Sequence, residues 1–203
     1  MENFGLYVII TKPTLNYREI AEICVAKEVK MLQLREKHFN DKELLKVARE
    51  IASITKGTAT NFIVNDRVDI ALLSDADGVH LGQDDLSITE ARKILGNDKI
   101  IGLSTHSIKQ AQEALIEKPD YIGFGPIYAT PTKEIADPVV GTNLLNEVMQ
   151  FADVPVVAIG GIDENNIKVV IGAGAKNVCA VRFLMNTSEL ASRIDFLNDL
   201  ISK

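Results

Sequence analysis

Two short stretches, Phe62-Ile-Val-Asn65-Asp66-Arg67 and Gly78-Val-His-Leu-Gly-Gln-Asp-Asp85, each run from apolar residues into carboxylates. Carboxylates at the ends of neighbouring segments suit a hard cation. Mg²⁺ in particular is held by one or two carboxylates, several waters and a substrate phosphate. A cationic stretch, Lys30-Met-Leu-Gln-Leu-Arg-Glu-Lys37, precedes them. If it is a strand, alternation puts Gln33, Arg35 and Lys37 on one face and Leu32 and Leu34 on the other. Gly160-Gly161 ends an apolar run before a helix, where backbone N–H groups approach an anion with no Cβ in the way. Each feature has a plainer alternative. Asp66, and Asp84 or Asp85, are good helix caps; the charges suit a structural ion network; the glycines suit a tight turn. The histidines form no Ser-His-Asp arrangement, and His80, alternating with Val79 and Leu81, reads as a satisfied core histidine.

These residues need a frame that brings their ends together. Ile63-Val64 and Val79 to Leu81 are β-formers in runs too short for helices, and the helical stretch Val68 to Ser74 separates them. Such a crossover is right-handed and leaves its two strands parallel, so Asp66 and the Asp84-Asp85 pair emerge on one edge. Neighbouring strands lie about 4.8 Å apart. Asp66 and Asp85 are then placed to share one cation.

The same alternation recurs along the chain. Leu6 to Thr11 reads as a strand, and Tyr17 to Glu28 as a helix with Ile20, Ile23 and Cys24 on one face. Asn40 with Glu43 and Ser87 with Glu90 are capping boxes, opening helices that run through Ile54 and Ile94, with Gly96 a C-terminal stop. Ile100 to Thr105 is a strand, and Ser107 to Glu117 a helix closed by Pro119. Tyr121 to Ile127 is a strand, followed by a loop from Tyr128 to Val140 whose length alone marks it as functional. Leu144 to Phe151 is helical, Pro155 to Gly161 a strand, and a helix starts at Asn165. A strand over Asn177 to Leu184 and a helix over Ser188 to Ile201 finish the chain.

About eight strand-helix units predict a single (β/α)₈ TIM barrel, one α/β domain over residues 1–203. A doubly wound sheet is the alternative, but no dinucleotide fingerprint follows the first strand. In such a barrel the active site lies at the C-terminal strand ends. Those ends carry Arg35, Lys37, Asn65, Asp66, Asp85, Ser104, His106, Thr130 to Lys133 and Gly160-Gly161.

The 203 residues are 46% hydrophobic with a formal net charge of −6. Nucleic acid and anionic membrane, which want a basic face, are therefore not expected partners. An anionic substrate must be held by local cations. No basic leader followed by an apolar run opens the chain, and no apolar stretch approaches the roughly 20 residues of a membrane span. A cytoplasmic location is expected. Cys24 and Cys179 have no paired or zinc-like spacing and are expected buried and reduced. A homo-oligomer is compatible with the sequence.

Gln33-Leu-Arg-Glu-Lys37, Val64-Asn-Asp-Arg67, Asp77-Gly-Val-His-Leu-Gly-Gln-Asp-Asp85, Gly123-Phe-Gly-Pro-Ile-Tyr128, Thr130-Pro-Thr-Lys133 and Ile159-Gly-Gly-Ile162 follow one another over nearly the whole chain. Together they resemble the thiamine phosphate synthase family. The resemblance implies a (β/α)₈ barrel that joins hydroxymethylpyrimidine pyrophosphate to thiazole phosphate by a dissociative path, with Mg²⁺, releasing pyrophosphate and forming thiamine phosphate. It assigns Gln33, Leu34, Arg35, Glu36, Lys37 and Asn65 to the pyrimidine substrate, with Arg35 and Lys37 on its phosphates. Asp66 and Asp85 match the Mg²⁺ ligands. Ser104 and Lys133 match further contacts to the pyrimidine substrate and, with Arg35 and Lys37, complete the implied catalytic set. Thr130 and Thr132 match contacts to thiazole phosphate, and Gly161 a backbone contact to its phosphate. The rivals are a related thiazole tautomerase, which has no pyrophosphate to release, and a silent barrel that binds phosphorylated ligands.

Arg182 departs from the resemblance. The family has a small residue, commonly serine, after the aliphatic position matched by Val181, and binds thiazole phosphate through backbone there. If residues 178–183 are a strand, Arg182 shares a face with Val178 and Ala180, opposite Cys179, Val181 and Phe183. If its face meets the mouth, the guanidinium grips the phosphate; if not, it snorkels outward. The anion site expected after the last two strands favours the first.

Overall fold

Period-two alternation sorts this chain into an inside and an outside. The structure, a computed structural model, describes residues 1–130 and 138–202. Among them the order is β1 (Tyr7–Ile10), α1 (Tyr17–Ala26), β2 (Met31–Leu34), α2 (Asp41–Thr55), β3 (Asn61–Asn65), α3 (Val68–Ser74), β4 (Gly78–Leu81), α4 (Ile88–Leu95), β5 (Ile100–Thr105), α5 (Ile108–Ile116), β6 (Tyr121–Phe124), α6 (Gly141–Phe151), β7 (Val156–Ile159), α7 (Ile167–Gly172), β8 (Asn177–Cys179), α8 (Val181–Met185) and α9 (Leu190–Ile201).

The eight strands form one sheet in sequence order, each parallel to the next. A parallel Leu6–Val178 bridge, with Val178 N–H donating to Gly5 O at 3.0 Å, joins the last strand to the first. This is the (β/α)₈ barrel. Val8, Leu32, Phe62, Val79, Ile101 and Ile122 face the helices in the larger core, while Tyr7, Ile9, Met31, Ile63, Tyr121 and Cys179 fill a smaller core inside. Burying each such side chain contributes roughly 1.5–3 kcal/mol.

Both capping boxes form, Asn40–Glu43 on α2 and Ser87–Glu90 on α4, and Gly96 ends α4 at φ +88°. A cap of this kind contributes about 1 kcal/mol. Cys24 and Cys179 are buried free thiols. Burial pushes Cys24 up to about 12 and Cys179 higher still. No helix among the described residues is long and apolar enough to cross a membrane.

One expected element is corrected. Residues 177–184 do not form a single strand: pairing stops at Cys179, opposite Ile159, and α8 starts at Val181. A continuous apolar run suits a buried strand and a buried helix equally, and no Gly or Pro in Val178 to Leu184 marks the change. The strand alternation invoked for Arg182 therefore does not apply.

Candidate active site

The polar residues at the C-terminal strand ends converge on one mouth with two lobes. A polar lobe of about 730 Å³ is lined by Lys37, Asn65, Asp66, Gln83 and Asp85. A mainly apolar lobe of about 490 Å³ is lined by Ile9, Thr130, Val139, Ile159 and Gly161. Thr11, Arg35, Ser104, His106, Val181 and Arg182 border both. Thr11 and Gln83 are additions to the expected site, for which position at a strand end is the only signal; His106 is already among the strand-end residues.

β2 sends Gln33 inward, where the buried amide donates to Tyr7 Oη at 2.8 Å. Arg35, of the same parity just past the strand, reaches the mouth. Leu34 and Glu36 have the other parity. Leu34 packs among the helices. Glu36 is buried and ties down the loop after β1, accepting from Lys12 N–H at 2.6 Å and from the Tyr17 hydroxyl at 3.0 Å. Glu36 and burial together hold the Tyr17 phenol above its ordinary range, burial being the larger cause. Neither Leu34 nor Glu36 places its side chain in the lobes.

Asp66 follows β3 in the left-handed region, φ +60°, a conformation aspartate tolerates better than most residues. It does not cap α3, whose N-cap is Arg67. Arg67 instead pairs with Asp41 and Asp69. The Asp66 carboxylate lies 3.2 Å from Lys37 Nζ. Asp85 does not cap α4 either, since Ser87 does. Asp85 is exposed as a residue, but its carboxylate turns back to accept Gly82 N–H at 2.6 Å. Withdrawal from water there, and then the neighbouring Asp66 carboxylate, hold Asp85 above the ordinary range, against the Gly82 hydrogen bond. Two carboxylates in contact with one lysine to share suit a hard dication. Among the described residues no group of three or more His, Cys, Asp or Glu could hold a metal, so a cation here would complete its shell with water and ligand oxygens.

Arg35 and Arg182 have no ion-pair or side-chain hydrogen-bond partner among the described residues, although both border the lobes. Two guanidinium groups that converge without ion-pair partners among the described residues suit an anion. Arg182 reaches it because α8 begins at Val181, directly after β8, and brings both residues to the mouth. Opposite stands the glycine turn. Gly161 has φ +65°, and a Cβ on it would lie 2.7 Å from Tyr128 O; only glycine fits. Asn166 holds the turn, its Nδ2 donating to Gly161 O at 2.8 Å. Ser104 ends the inward face of β5, with Oγ 2.8 Å from His80 Nε2. His80 is thus satisfied, as expected, yet it also borders the polar lobe. Thr132 and Lys133 lie outside the described residues.

Comparison with known proteins decides the family. Residues 6–184 match the family model described as thiamine monophosphate synthase. The chain belongs to the thiamine monophosphate synthase family. A thiamine-phosphate synthase of Halalkalibacterium halodurans is 39% identical over all of this chain and 98% of its own length. One from Shouchella clausii is 43% identical, covering 89% of this chain and 88% of its own. Among solved structures, a thiamine phosphate pyrophosphorylase from Pyrococcus furiosus superposes with TM-score 0.87 at 29% identity, covering 98% of this chain and 96% of that one. The family places the convergent mouth in a group of transferases.

Proposed function

We propose that this barrel is a thiamine-phosphate synthase that condenses hydroxymethylpyrimidine pyrophosphate with thiazole phosphate and releases pyrophosphate. The observation that carries the reading is the pairing of two lobes across a shared wall that carries Arg35 and Arg182, neither of them ion-paired among the described residues. The polar lobe, with Arg35, Lys37 and the Asp66–Asp85 pair, takes the pyrophosphate. The lobe with the Gly160-Gly161 turn takes thiazole phosphate, its phosphate on Gly161 N–H and Arg182. Asn65 and Ser104 contact the pyrimidine substrate from the polar side, Thr130 and Thr132 the thiazole; Lys133 joins the cations around the leaving group. A cytoplasmic location goes with this assignment.

Asp66 and Asp85 would hold Mg²⁺, which supplies charge neutralisation to a departing pyrophosphate. Arg35 and Lys37 do the same from the protein side. As the methylene C–O bond breaks, the electron pair leaves with pyrophosphate and the guanidinium and ammonium receive the developing charge. The thiazole nitrogen then donates its lone pair to the methylene carbon, forming the C–N bond. Neither cysteine is activated as a nucleophile: both thiols are buried and pushed up. Positioning and electrostatics are left as the main catalytic terms.

The test is a two-substrate assay. Thiamine phosphate and pyrophosphate must appear one for one, with Mg²⁺, and only when both substrates are present. Isomerisation of the thiazole compound alone would make the protein a tautomerase, and binding without turnover a silent barrel.

Arg182→Ser tests the phosphate subsite. Losing a charge-assisted grip raises the KM for thiazole phosphate on the order of tenfold to a hundredfold, while that for the pyrimidine substrate stays nearly unchanged. Steady-state titration of each substrate reads the difference. An unchanged thiazole phosphate KM would leave the backbone N–H groups as its binders.

A further inference from the structure

Below the mouth, four side chains that none of the steps above uses are strung into one hydrogen-bonded file. Gln33 Nε2 lies 2.8 Å from Tyr7 Oη, Tyr7 Oη 2.7 Å from Tyr121 Oη, Tyr121 Oη 2.9 Å from His80 Nδ1, and His80 Nε2 2.8 Å from Ser104 Oγ. The file crosses the barrel from β2 through β1, β6 and β4 to β5. It is built in. Gly102 sits beside Tyr121 across the β5–β6 ladder, and a Cβ on it would fall 2.1 Å from the tyrosine Cζ. The Tyr121 ring stacks on His80 at 5.5 Å, and Phe4 meets both tyrosines edge-on at 5.8 Å, closing the bottom. Both phenols are fully buried, and that burial holds them above the usual phenol range, so each keeps its hydrogen.

We propose that Gln33, Tyr7, Tyr121 and His80 form a hydrogen-ordered chain that holds His80 with its hydrogen on Nε2 and so obliges Ser104 to donate its own hydroxyl hydrogen into the mouth, to an anionic oxygen of the bound ligand.

The order propagates from one end. An amide nitrogen only donates, so Tyr7 Oη accepts from Gln33 and gives its hydrogen to Tyr121. Tyr121 then gives its hydrogen to His80 Nδ1. A neutral imidazole that accepts at Nδ1 carries its hydrogen at Nε2, and that N–H is directed at Ser104 Oγ. The serine already accepts from below, so its O–H points up, beside Arg35 on the wall the two lobes share. In this placement the amide leaves no buried orphan; among the described residues the buried side-chain atom without a partner is Thr60 Oγ1. The reverse order, begun from the amide oxygen, would put the hydrogen on Nδ1 and turn Ser104 into a donor to His80. Gln33, Tyr7, Tyr121 and His80 are positioning residues, acting on the ligand through Ser104. The catalytic consequence rests on the synthase reading; the tautomer does not.

The experiment is ¹⁵N NMR of the histidine-labelled whole chain without ligand. There are three histidines, and the His80 signals are those lost in His80→Asn. The hydrogen is expected on Nε2; finding it on Nδ1 overturns the proposal. In kinetics, Tyr121→Phe is expected to mix the two tautomers and lower kcat about two- to threefold, by dilution of the competent tautomer, with the KM for pyrimidine pyrophosphate nearly unchanged. In a Ser104→Ala background the same substitution should cost nothing further. Equal losses in both backgrounds would mean a packing role and overturn it. If Tyr121→Phe does not fold, the wild-type spectrum still decides. A protein that makes no thiamine phosphate sinks the synthase reading and leaves the tautomer to be judged on its own.

Discussion

Replacing Arg35 with glutamine is expected to lower kcat on the order of 10²–10³-fold with little change in protein stability, the range for loss of one preorganised donor to charge that develops in the transition state. Arg35 stands on the wall between the lobes without an ion-pair partner among the described residues, so its removal strands no charge among them. Lys37→Met should cost a similar factor for a mixed reason. Its ammonium lies 3.2 Å from Asp66, so its loss also leaves two carboxylates facing each other unshared. The readout is the split between kcat and KM in steady-state kinetics. A raised KM at unchanged kcat would mean that these cations hold substrate and transition state equally, and the leaving-group role would be lost.

The second large effect concerns the carboxylate pair. Asp66→Asn and Asp85→Asn keep size and remove charge where the dication would sit. Each should weaken Mg²⁺ dependence on the order of 10–100-fold, at least what loss of an outer-shell partner costs a metal site, and lower the rate accordingly at limiting Mg²⁺. The fold should survive, and the sign of the stability change follows from the shift. Asp85 lies above its ordinary range in the folded chain, so its ionisation opposes folding as pH rises through the unfolded and then the folded value, and at neutral pH that penalty is fully present. Without Mg²⁺, Asp85→Asn should therefore melt no lower than the wild type at neutral pH. With Mg²⁺ only the wild type should gain Tm. Melting curves at several Mg²⁺ concentrations read both. If the two variants keep wild-type rates at limiting Mg²⁺, the pair is structural.

How much of this was legible in the sequence differs between elements for physical reasons. The expected bounds of Val68 to Ser74 and Ile100 to Thr105 coincide with those of α3 and β5, because periodicity and flanking breakers agree there. Parity along β2 sorted Leu32 and Leu34 from Gln33 and Arg35, since a strand leaves no other choice. It was less informative on depth. Gln33 faces inward but is spent on Tyr7, below the mouth, and Glu36 is turned to Lys12 and Tyr17. Those partners lie far away in the chain, and no local pattern announces them. The competition between capping and metal binding at Asp66 and Asp85 was undecidable from residue type, since aspartate suits both. It was resolved against capping by the backbone, which gives the caps to Arg67 and Ser87.

The last strand failed for a related reason. Its apolar run continues into a helix that has the same composition, so Val181 and Arg182 reach the mouth by a helical turn rather than by alternation. His80 is satisfied, as its alternation with Val79 and Leu81 implies, but one of its partners is Ser104, which joins it to the site. That link needs β4 and β5 in register, and the file behind it draws on five strands that come together only once the barrel closes.

In the proposed reaction pyrophosphate leaves before the new bond forms. The most direct measurement is the single-turnover rate with the pyrimidine methylene dideuterated. As the C–O bond breaks first, that carbon goes from tetrahedral to trigonal and its C–H bending loosens, so the deuterated substrate should react measurably more slowly. An equal or faster rate with deuterium would mean that the thiazole nitrogen attacks while pyrophosphate is still bonded, and would contradict the account.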